Sequence, residues 1–284
     1  MSLSFRFGTV GSPISTPKKP GGSVGAIQQI NALRLDAFEL GWVQSVRVTE
    51  KTCAEIRQTA KENNINLSVH APYYINLNAN EDEWSKSRKR LMDSAHFGNL
   101  AGATDIVFHP GSYFGQDPSI VLKVSNSRLA ECVQELKAAD NMVTLRPETM
   151  GKSAMLGSLE DTLIMGMEIP GVFPCLDFAH LHARAGNGEM NSYDEWSLVL
   201  EAYAKALGEA SLKSLHIHLS GIEYSEKGER NHLPIQESDF DLKGLFKAFY
   251  AYKAGGRILC ESPIMEEDAL FMQKSWQDVS GEEL

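Results

Sequence analysis

Short apolar stretches alternate with longer segments of helical periodicity along the whole chain. Apolar stretches bounded by turn-forming residues are typical of β-strands, whereas apolar residues spaced three and four apart are typical of amphipathic helices. The alternation predicts eight strands, each followed by a helix. The predicted strands are residues 3–11, 37–43, 67–75, 105–112, 143–151, 172–180, 214–221 and 256–263.

Three of the helical segments carry start or stop signals. Residues 49–64 begin at a threonine and end at two asparagines. Residues 192–208 place Ser192 three positions before Glu195, which predicts a capping box, and they end at a glycine. Residues 265–276 have acidic side chains in the first turn, where these face the positive end of the helix dipole. The signals favour helices where the alternation requires them.

Eight strand-helix units without a low-complexity linker predict one α/β domain over residues 1–284. At this length, right-handed crossovers between parallel strands close into a single (β/α)8 TIM barrel. A doubly wound open sheet is the alternative. Residues 11–23, rich in Pro, Gly and Lys, would follow the first strand on the carboxyl-terminal face, either as a substrate-facing loop or as plain surface.

Composition narrows the class of protein. Apolar residues make up 43% of the chain and charged residues 23%, and no apolar run approaches the ~20 residues that span a bilayer, so a soluble globular protein is predicted. The opening residues lack the basic region and apolar core of a secretory signal, so we expect a cytoplasmic location. The four scattered cysteines form no CxxC pattern and are expected to be reduced, buried thiols.

The net charge of −10 opposes nonspecific binding of nucleic acid, because basic surface is what captures a phosphate backbone. Bound cations can reverse the field locally. The acidic balance of the chain is therefore compatible with a nucleic-acid substrate only at a site that holds cations.

Metal-ligating residue types recur toward the carboxyl ends of six successive predicted strands. From the third strand to the eighth they are His70, His109, Glu148, Asp177, His218 and Glu261. The carboxyl-terminal end of a parallel barrel is where active sites are built. Because alternate strand residues point into the barrel, all six side chains can face one point.

Six imidazole and carboxylate groups around one small cavity repel one another or are costly to desolvate unless a cation is present. Histidine mixed with aspartate and glutamate, without cysteine, favours zinc or manganese over magnesium or calcium. A single histidine at a strand end is also typical of a hydrogen-bonded structural residue. His216, one layer deeper than His218, is expected to be such a core residue.

Seven short motifs follow one another along the chain: SVHAPYYINL, VFHPGS, PETMG, CLDFAH, HLSG, ERNH and CESP. In order and spacing they resemble the motifs of the endonuclease IV family of apurinic/apyrimidinic endonucleases, which are zinc-dependent (β/α)8 barrels. The resemblance spans roughly residues 65–275. An ordered set of this kind is far more specific than any one motif.

The resemblance implies a ligand set for each of up to three zinc ions. His70 and His109 would hold the first, and Glu148 would bridge it to a second. The second would also be held by Asp177, His218 and Glu261, and the third by His180, Glu229 and His232. Two zinc ions are expected on this basis, with manganese as the other metal that the donors suit.

The third site departs from the family spacing. The family separates its acid and histidine by one residue, whereas two residues separate Glu229 from His232, and Asn231 stands where the family's histidine would fall. Either the loop shifts to bring His232 in, or the site lacks a ligand. His182 is a possible substitute, although a structural role is expected for it.

The resemblance implies metal-assisted hydrolysis of phosphodiesters at abasic sites in DNA, with Glu148 or Glu261 orienting or deprotonating the water. Tyr73 would lie in the DNA site or pack at its rim. Arg230 would contact phosphate or remain an exposed surface residue. The segments after the first two strands do not carry the family's DNA-contacting motifs.

Two other functions fit parts of the pattern. A metal-dependent sugar isomerase or epimerase of the xylose isomerase-like barrel group needs only Glu148, Asp177, His218 and Glu261. That chemistry leaves the additional histidines unexplained. A noncatalytic metal-binding or DNA-scaffolding protein would account for the absent DNA-contacting motifs.

Overall fold

The strands and helices alternate as the apolar pattern predicts. The computed structural model describes residues 5–281, so residues 3 and 4 of the first predicted strand lie outside it. The strands are β1 (Phe5–Val10), β2 (Ala37–Gly41), β3 (Asn66–His70), β4 (Asp105–Phe108), β5 (Thr144–Pro147), β6 (Cys175–Asp177), β7 (Leu215–Leu219), β8 (Gly221–Ser225), β9 (Gly228–Leu233) and β10 (Gly256–Cys260).

The helices are α1 (Gly22–Ala32), α2 (Glu50–Glu62), α3 (Glu81–Ala101), α4 (Pro118–Ala138), α5 (Leu159–Glu168), α6 (Phe178–Arg184), α7 (Tyr193–Leu207), α8 (Leu242–Ala251) and α9 (Glu266–Ser280). Two short 3-10 helices, Glu209–Ser214 and Ile235–Glu237, precede β7 and α8. All three helices with sequence signals are present. The last of them continues four residues past its predicted end at residue 276, to Ser280.

Eight parallel strands form one sheet in the order β5-β4-β3-β2-β1-β10-β7-β6. Its two outer strands meet, because Leu145 N donates to Gly171 O at 3.2 Å and Phe173 N donates to Leu145 O at 3.2 Å. Farther along, Thr149 N donates to Cys175 O at 3.0 Å. These bonds close the sheet, so the predicted single (β/α)8 TIM barrel is confirmed and the open-sheet alternative is wrong.

The predicted helix starts are capped by the expected side-chain hydrogen bonds. The Thr49 side chain accepts from Thr52 N, and the Ser192 side chain accepts from Glu195 N. The Glu195 carboxylate reaches back to Asn191 N at 2.7 Å, one residue before the cap. The bonds from Thr52 N and Glu195 N satisfy backbone donors that the first helical turn leaves free, and the bond from Asn191 N satisfies one just before the helix.

The connections after the sixth and seventh barrel strands differ from the simple strand-helix alternation. Two helices, α6 and α7, follow β6, and an antiparallel hairpin of β8 and β9 lies between β7 and α8. The hairpin packs on α6 through Ile222, which is buried against Ala179 and Ala183. It therefore stands at the carboxyl-terminal end of the barrel, beside the predicted metal ligands.

A buried ion cluster lies at the amino-terminal end of the barrel. Arg146 Nε donates to Asp105 Oδ1 at 2.6 Å, and Arg257 Nη2 donates to Asp105 Oδ2 at 2.8 Å. Burial opposes ionisation of Asp105, but the two guanidinium groups outweigh it and lower the pKa of that carboxyl. The cluster joins β4, β5 and β10 at the end opposite the predicted site.

The apolar core fills the space between the barrel and its helices. Phe5 of β1 packs against Phe249 of α8 and Trp276 of α9, with ring centroids 5.2 and 5.1 Å away. All four cysteines are free and buried, as predicted. Within residues 5–281, no helix is both long enough and apolar enough to cross a membrane.

Candidate metal centre

Glu148 lies at the centre of the predicted ligands. It directly follows β5 and is fully buried. Its Oε2 atom is 3.4 Å from His70 Nε2 and 3.3 Å from His109 Nε2. Its Oε1 atom is 3.5 Å from His218 Nδ1. Three other strands therefore deliver a histidine to the two oxygens of one carboxylate.

A second donor group shares Glu148. Asp177 at the end of β6, His218 on β7 and Glu261 just after β10 each place a ligand atom within 4.8 Å of the others and of Glu148. His218 Nδ1 is 3.4 Å from Glu261 Oε1. The structure thus brings all six strand-end residues together, in two groups with Glu148 common to both.

The distances in these groups suit a bound cation. They lie between 3.3 and 3.5 Å, beyond the 2.7–3.2 Å of ordinary N–H···O hydrogen bonds. Two donors that are each ~2.0–2.1 Å from a tetrahedrally coordinated ion stand about 3.3–3.4 Å apart. The histidine and carboxylate donors are therefore spaced as ligands of a divalent cation would be.

Unsatisfied polar atoms support the same fit. Within residues 5–281, the buried side-chain atoms without a hydrogen-bond partner include Glu148 Oε1 and Oε2, Asp177 Oδ2, His180 Nε2 and His218 Nδ1. Leaving a buried polar atom unpaired costs about 1–3 kcal/mol, more when the group is charged. A cation bound among these atoms would remove that cost.

A third donor group consists of His180, Glu229 and His232. His180 lies in the first turn of α6, where its backbone N–H donates to the capping carboxylate of Asp177 at 2.6 Å. Its Nε2 atom is 3.6 Å from Glu229 Oε2. The rings of His180 and His232 are 5.4 Å apart.

A β-bulge explains how the unusual spacing still brings Glu229 and His232 together. Glu223 of β8 pairs with Asn231, and the next residue, Tyr224, pairs with Glu229, so Arg230 is an extra residue on β9. An extra residue shifts the alternation of side chains by one position. Glu229 and His232 consequently face His180, and of the two outcomes left open by the sequence, the structure shows the shifted loop.

The outer hydrogen bonds fix which histidine nitrogens are free. His70 Nδ1 is 2.9 Å from Ala71 O, and His180 Nδ1 is 2.9 Å from Thr149 O. A carbonyl only accepts, so Nδ1 is the nitrogen that carries the proton in each ring. The unprotonated Nε2 atoms therefore point to the donor groups, as metal ligation requires.

Burial and mutual repulsion change the proton affinities in the group. Burial raises the pKa of Asp177 to about 8, and the charges of Glu148 and Glu261 act in the same direction. Burial opposes protonation of His180, but the neighbouring Asp177 and Glu148 raise the pKa of that imidazole well above its usual value. In the absence of a metal, protons would supply the positive charge that these residues require.

Glu39 is a buried acid that the strand pattern alone does not single out. It lies on β2, where it reads as one polar residue in an apolar stretch. Its Oε2 atom accepts from His216 Nε2 at 2.9 Å, and its Oε1 atom is 3.0 Å from His218 Nε2. Burial and the bond to Glu39 have opposite effects on His216, and burial dominates, lowering the pKa of that imidazole to about 4. His216 is thus a buried residue one layer below His218, as predicted.

The remaining candidates lie at the edge of the site. Tyr73 is half exposed, and its ring is stacked 5.1 Å from that of His109. The exposed Arg230 donates to Glu223 Oε1 at 2.8 Å. His182 contacts Met190 O and Asp239 Oδ1 at 2.9 and 3.0 Å, so both its nitrogens are engaged away from the third donor group.

Relatives of known sequence support the motif resemblance. A probable endonuclease 4 of Staphylococcus carnosus is 28% identical over 214 residues, which are 72% of this chain and 68% of that protein. An uncharacterised protein of Methanocaldococcus jannaschii is 37% identical over 274 residues, covering 96% of this chain and 97% of that protein. The resemblance to endonuclease IV is confirmed, although the more similar of these two relatives has no assigned activity.

Solved structures with the same fold include both enzyme classes raised by the sequence. Endonuclease IV from Thermus thermophilus aligns with a TM-score of 0.71 at 21% identity, covering 98% of this chain and 100% of that one. A D-tagatose 3-epimerase-like protein aligns with a TM-score of 0.71 at 18% identity, covering 96% and 98%. The model of the xylose isomerase-like TIM barrel family matches residues 27–278. With its closed eight-stranded barrel, the chain belongs to the xylose isomerase-like TIM barrel family.

Proposed function

We propose that this protein is a zinc-dependent phosphodiester hydrolase that cleaves DNA at abasic sites. The observation that carries the proposal is that three of the five groups of possible metal donors in residues 5–281 adjoin one another and consist entirely of predicted ligands, where a single-metal sugar isomerase needs only one. The similarity to a probable endonuclease 4 and to a solved endonuclease IV supports the same reaction.

Each donor group has a distinct place in the proposed centre. His70, His109 and Glu148 would hold one cation, Glu148, Asp177, His218 and Glu261 a second, and His180, Glu229 and His232 a third. When bound, the cations would neutralise charge on the phosphate and leaving-group oxygens and lower the pKa of a water. The shared carboxylate of Glu148 would fix the spacing of the first two groups.

Exposure separates the roles of the two candidate catalytic acids. The Glu148 side chain is fully buried, and its oxygens face histidines on both sides, so it is placed to hold cations. The Glu261 side chain is 13% exposed and lies on the open side of the second group. Glu261 is therefore the acid that we assign to orienting the attacking water and accepting its proton.

The rim offers contacts for a nucleic-acid substrate. Tyr73 presents an exposed aromatic face next to His109, and a ring in this position can stack on a base or sugar exposed by a missing base. Arg230 follows Glu229 on the hairpin and pairs with the partly exposed Glu223 at the surface, so it can turn toward a phosphate. We assign both residues to substrate binding.

The test combines metal analysis with a cleavage assay. Purified protein is analysed for bound metal and incubated with a DNA duplex that contains one abasic site, before and after chelation. Three equivalents of zinc, and cleavage that is lost on chelation and restored by zinc, are the expected results. His109→Ala and Glu261→Gln are expected to lose cleavage by at least roughly 100-fold.

Matched control variants distinguish the loss of a proposed ligand or catalytic side chain from a general effect of substitution on the protein. His96 is an exposed histidine on α3, and Glu55 is an exposed glutamate on α2, both outside the donor groups. His96→Ala and Glu55→Gln should cleave like the wild type. Equal cleavage by Glu261→Gln and Glu55→Gln, or cleavage that survives complete removal of metal, would contradict the proposal.

A ketose epimerase is the second candidate. It is favoured by the four-residue group of Glu148, Asp177, His218 and Glu261, which forms a complete metal site without the other histidines. The epimerase-like structure with a TM-score of 0.71 supports it. Metal-dependent conversion of a ketose by a protein that leaves abasic DNA intact would establish this function in place of the nuclease. Tight metal binding without either activity would indicate a noncatalytic protein.

A further inference from the structure

Glu39 is a carboxylate enclosed by polar partners beneath the second donor group. Its side chain is fully buried on β2. The Oε2 atom accepts hydrogen bonds from Ser68 Oγ at 2.6 Å and from His216 Nε2 at 2.9 Å. The Oε1 atom is left for His218, whose Nε2 lies 3.0 Å away. Two partners thus hold one oxygen so that the other faces a single metal-ligating histidine.

This contact determines which nitrogen of His218 is free. A neutral imidazole has one N–H and one lone pair, and an ionised carboxylate only accepts. Glu39 Oε1 and His218 Nε2 make no hydrogen bond of regular geometry, but at 3.0 Å the carboxylate favours the tautomer with the proton on Nε2 and the lone pair on Nδ1. The Nδ1 atom is the one that lies 3.4 Å from Glu261 Oε1 and 3.5 Å from Glu148 Oε1. The opposite tautomer would point a proton at these carboxylates in place of a ligand.

The three donor groups differ in what orients their histidines. His70 and His180 are oriented by the backbone carbonyl groups of Ala71 and Thr149, whereas His218 is oriented by the side chain of Glu39. Backbone carbonyls are present whatever the side chain. Among these three histidines, only His218 can therefore lose its orienting partner through one side-chain substitution outside the ligands.

We infer that Glu39 is a positioning residue that sets the tautomer and ring orientation of His218 and thereby the metal affinity of the Glu148, Asp177, His218 and Glu261 group. The inference rests on the proposed metal centre. The hydrogen bonds of Glu39 go to Ser68 and His216, which lie outside the three donor groups. Glu39 also lies within 4.8 Å of a ligand atom of His70, but its shortest approach to a proposed ligand is the 3.0 Å to His218, so its effect is largest on the second cation. Loss of an outer-shell partner of this kind typically lowers metal affinity by about 10–100-fold.

The first measurement compares zinc affinities by competition with a chromophoric chelator. Glu39→Gln keeps the shape of the side chain but removes its charge, and it should weaken one zinc site by about 10–100-fold while the remaining sites keep wild-type affinity. Ser68→Ala is the matched control, because it removes a partner of Oε2 and leaves Oε1 facing His218. Ser68→Ala should bind zinc within about threefold of wild type.

The second measurement reports the tautomer directly in the wild-type protein, so it does not depend on whether a variant folds. Nitrogen NMR of histidine-labelled, zinc-loaded protein distinguishes N–H from metal-bound nitrogen, and His218→Asn identifies the His218 signals. The expected result is a proton on Nε2 and zinc on Nδ1. A proton on Nδ1 would overturn the inference.

The outcomes separate this inference from the proposed function. If the wild type binds zinc and Glu39→Gln, correctly folded, binds it with equal affinity at every site, the inference fails and the proposed function stands. If zinc is bound and Glu39→Gln weakens one site, but abasic DNA is not cleaved, the inference stands and the nuclease proposal fails. A wild type that binds no divalent cation would overturn both.

Discussion

Gly151 offers a way to disturb the third donor group without replacing any of its ligands. A Cβ atom at this position would lie 2.7 Å from Glu229 Cβ, 2.8 Å from Glu229 Oε2 and 3.1 Å from His180 Cδ2. Carbon atoms normally approach one another to about 3.5–4.0 Å. In a Gly151→Ala variant, the segment that carries residue 151 and the strand β9 that carries Glu229 must therefore separate by roughly 1 Å.

Rotation of the Glu229 side chain cannot relieve this contact, because the Cβ atom is fixed to the backbone and Glu229 N is bonded to Gly151 O at 2.9 Å. Metal-ligand distances tolerate only about 0.2 Å of error. A shift of about 1 Å should therefore lower the affinity for the third cation by at least roughly tenfold and leave the affinities for the other two unchanged. The added methyl group should also reduce the free energy of unfolding by about 1–3 kcal/mol.

Metal titration with competition is the appropriate assay, with chemical unfolding measured in parallel. Gly25→Ala is the control, because the new methyl group on α1 would come no closer than 3.5 Å to a neighbouring side chain. The Gly151→Ala variant should hold two tight equivalents of zinc where the wild type and control hold three. Three tight equivalents in Gly151→Ala would refute the assignment of this group as a metal site.

Three further predictions concern the two inner donor groups and the buried ion cluster at the opposite end of the barrel. Glu148→Gln should release two cations rather than one, because both inner groups depend on its carboxylate, whereas Glu55→Gln should retain all of them; metal analysis after gel filtration checks this. Because the pKa of Asp177 is raised to about 8 and that of His180 well above its usual value, metal binding must displace their protons, so zinc affinity should rise with pH between about 6 and 8. For the same reason, the free energy of unfolding of the metal-free protein should fall as the pH rises from about 4 to about 8. Calorimetry of zinc binding at pH 7, in buffers of different ionisation enthalpy, should detect the released proton. Asp105→Asn should lower the free energy of unfolding by about 3–5 kcal/mol in urea titrations, because two buried guanidinium groups lose their common partner. Asp36→Asn, at a half-exposed pair with Arg6, should cost less than about 1 kcal/mol.

The barrel and the strand-end donors could be predicted because both follow from short-range periodicity. Strand residues alternate between the barrel interior and the helices, so His218 and Glu261 could be placed on the inward side from the sequence alone. The closure of the sheet was the favoured prediction, with a doubly wound open sheet as the alternative, because right-handed crossovers between eight parallel strands close into a barrel at this length.

The remaining features depend on contacts that local pattern does not encode. Glu39 has partners on β3 and β7, 29 and 177 residues away, so its role is visible only once the barrel is closed. The grouping of Glu229 with His232 depends on the bulge at Arg230, which decides between the two outcomes that the spacing left open. The hairpin turns at residues 226–227 just before Gly228, whose φ of 91° suits glycine, but its packing on α6 through Ile222 joins segments far apart in the sequence.

The hairpin that carries Glu229 and His232 divides the centre into parts that can change independently. The six strand-end donors are held by the register of the whole barrel, so none of them can move without displacing its neighbours. The two hairpin donors belong to a surface connection, which tolerates insertions and deletions far better than a barrel strand does. A change in the length of this one connection can add or remove the third group while the four-donor site beneath it stays intact. If the three groups hold cations as proposed, edits to this single connection would change the number of cations at the mouth of the barrel without altering the barrel itself.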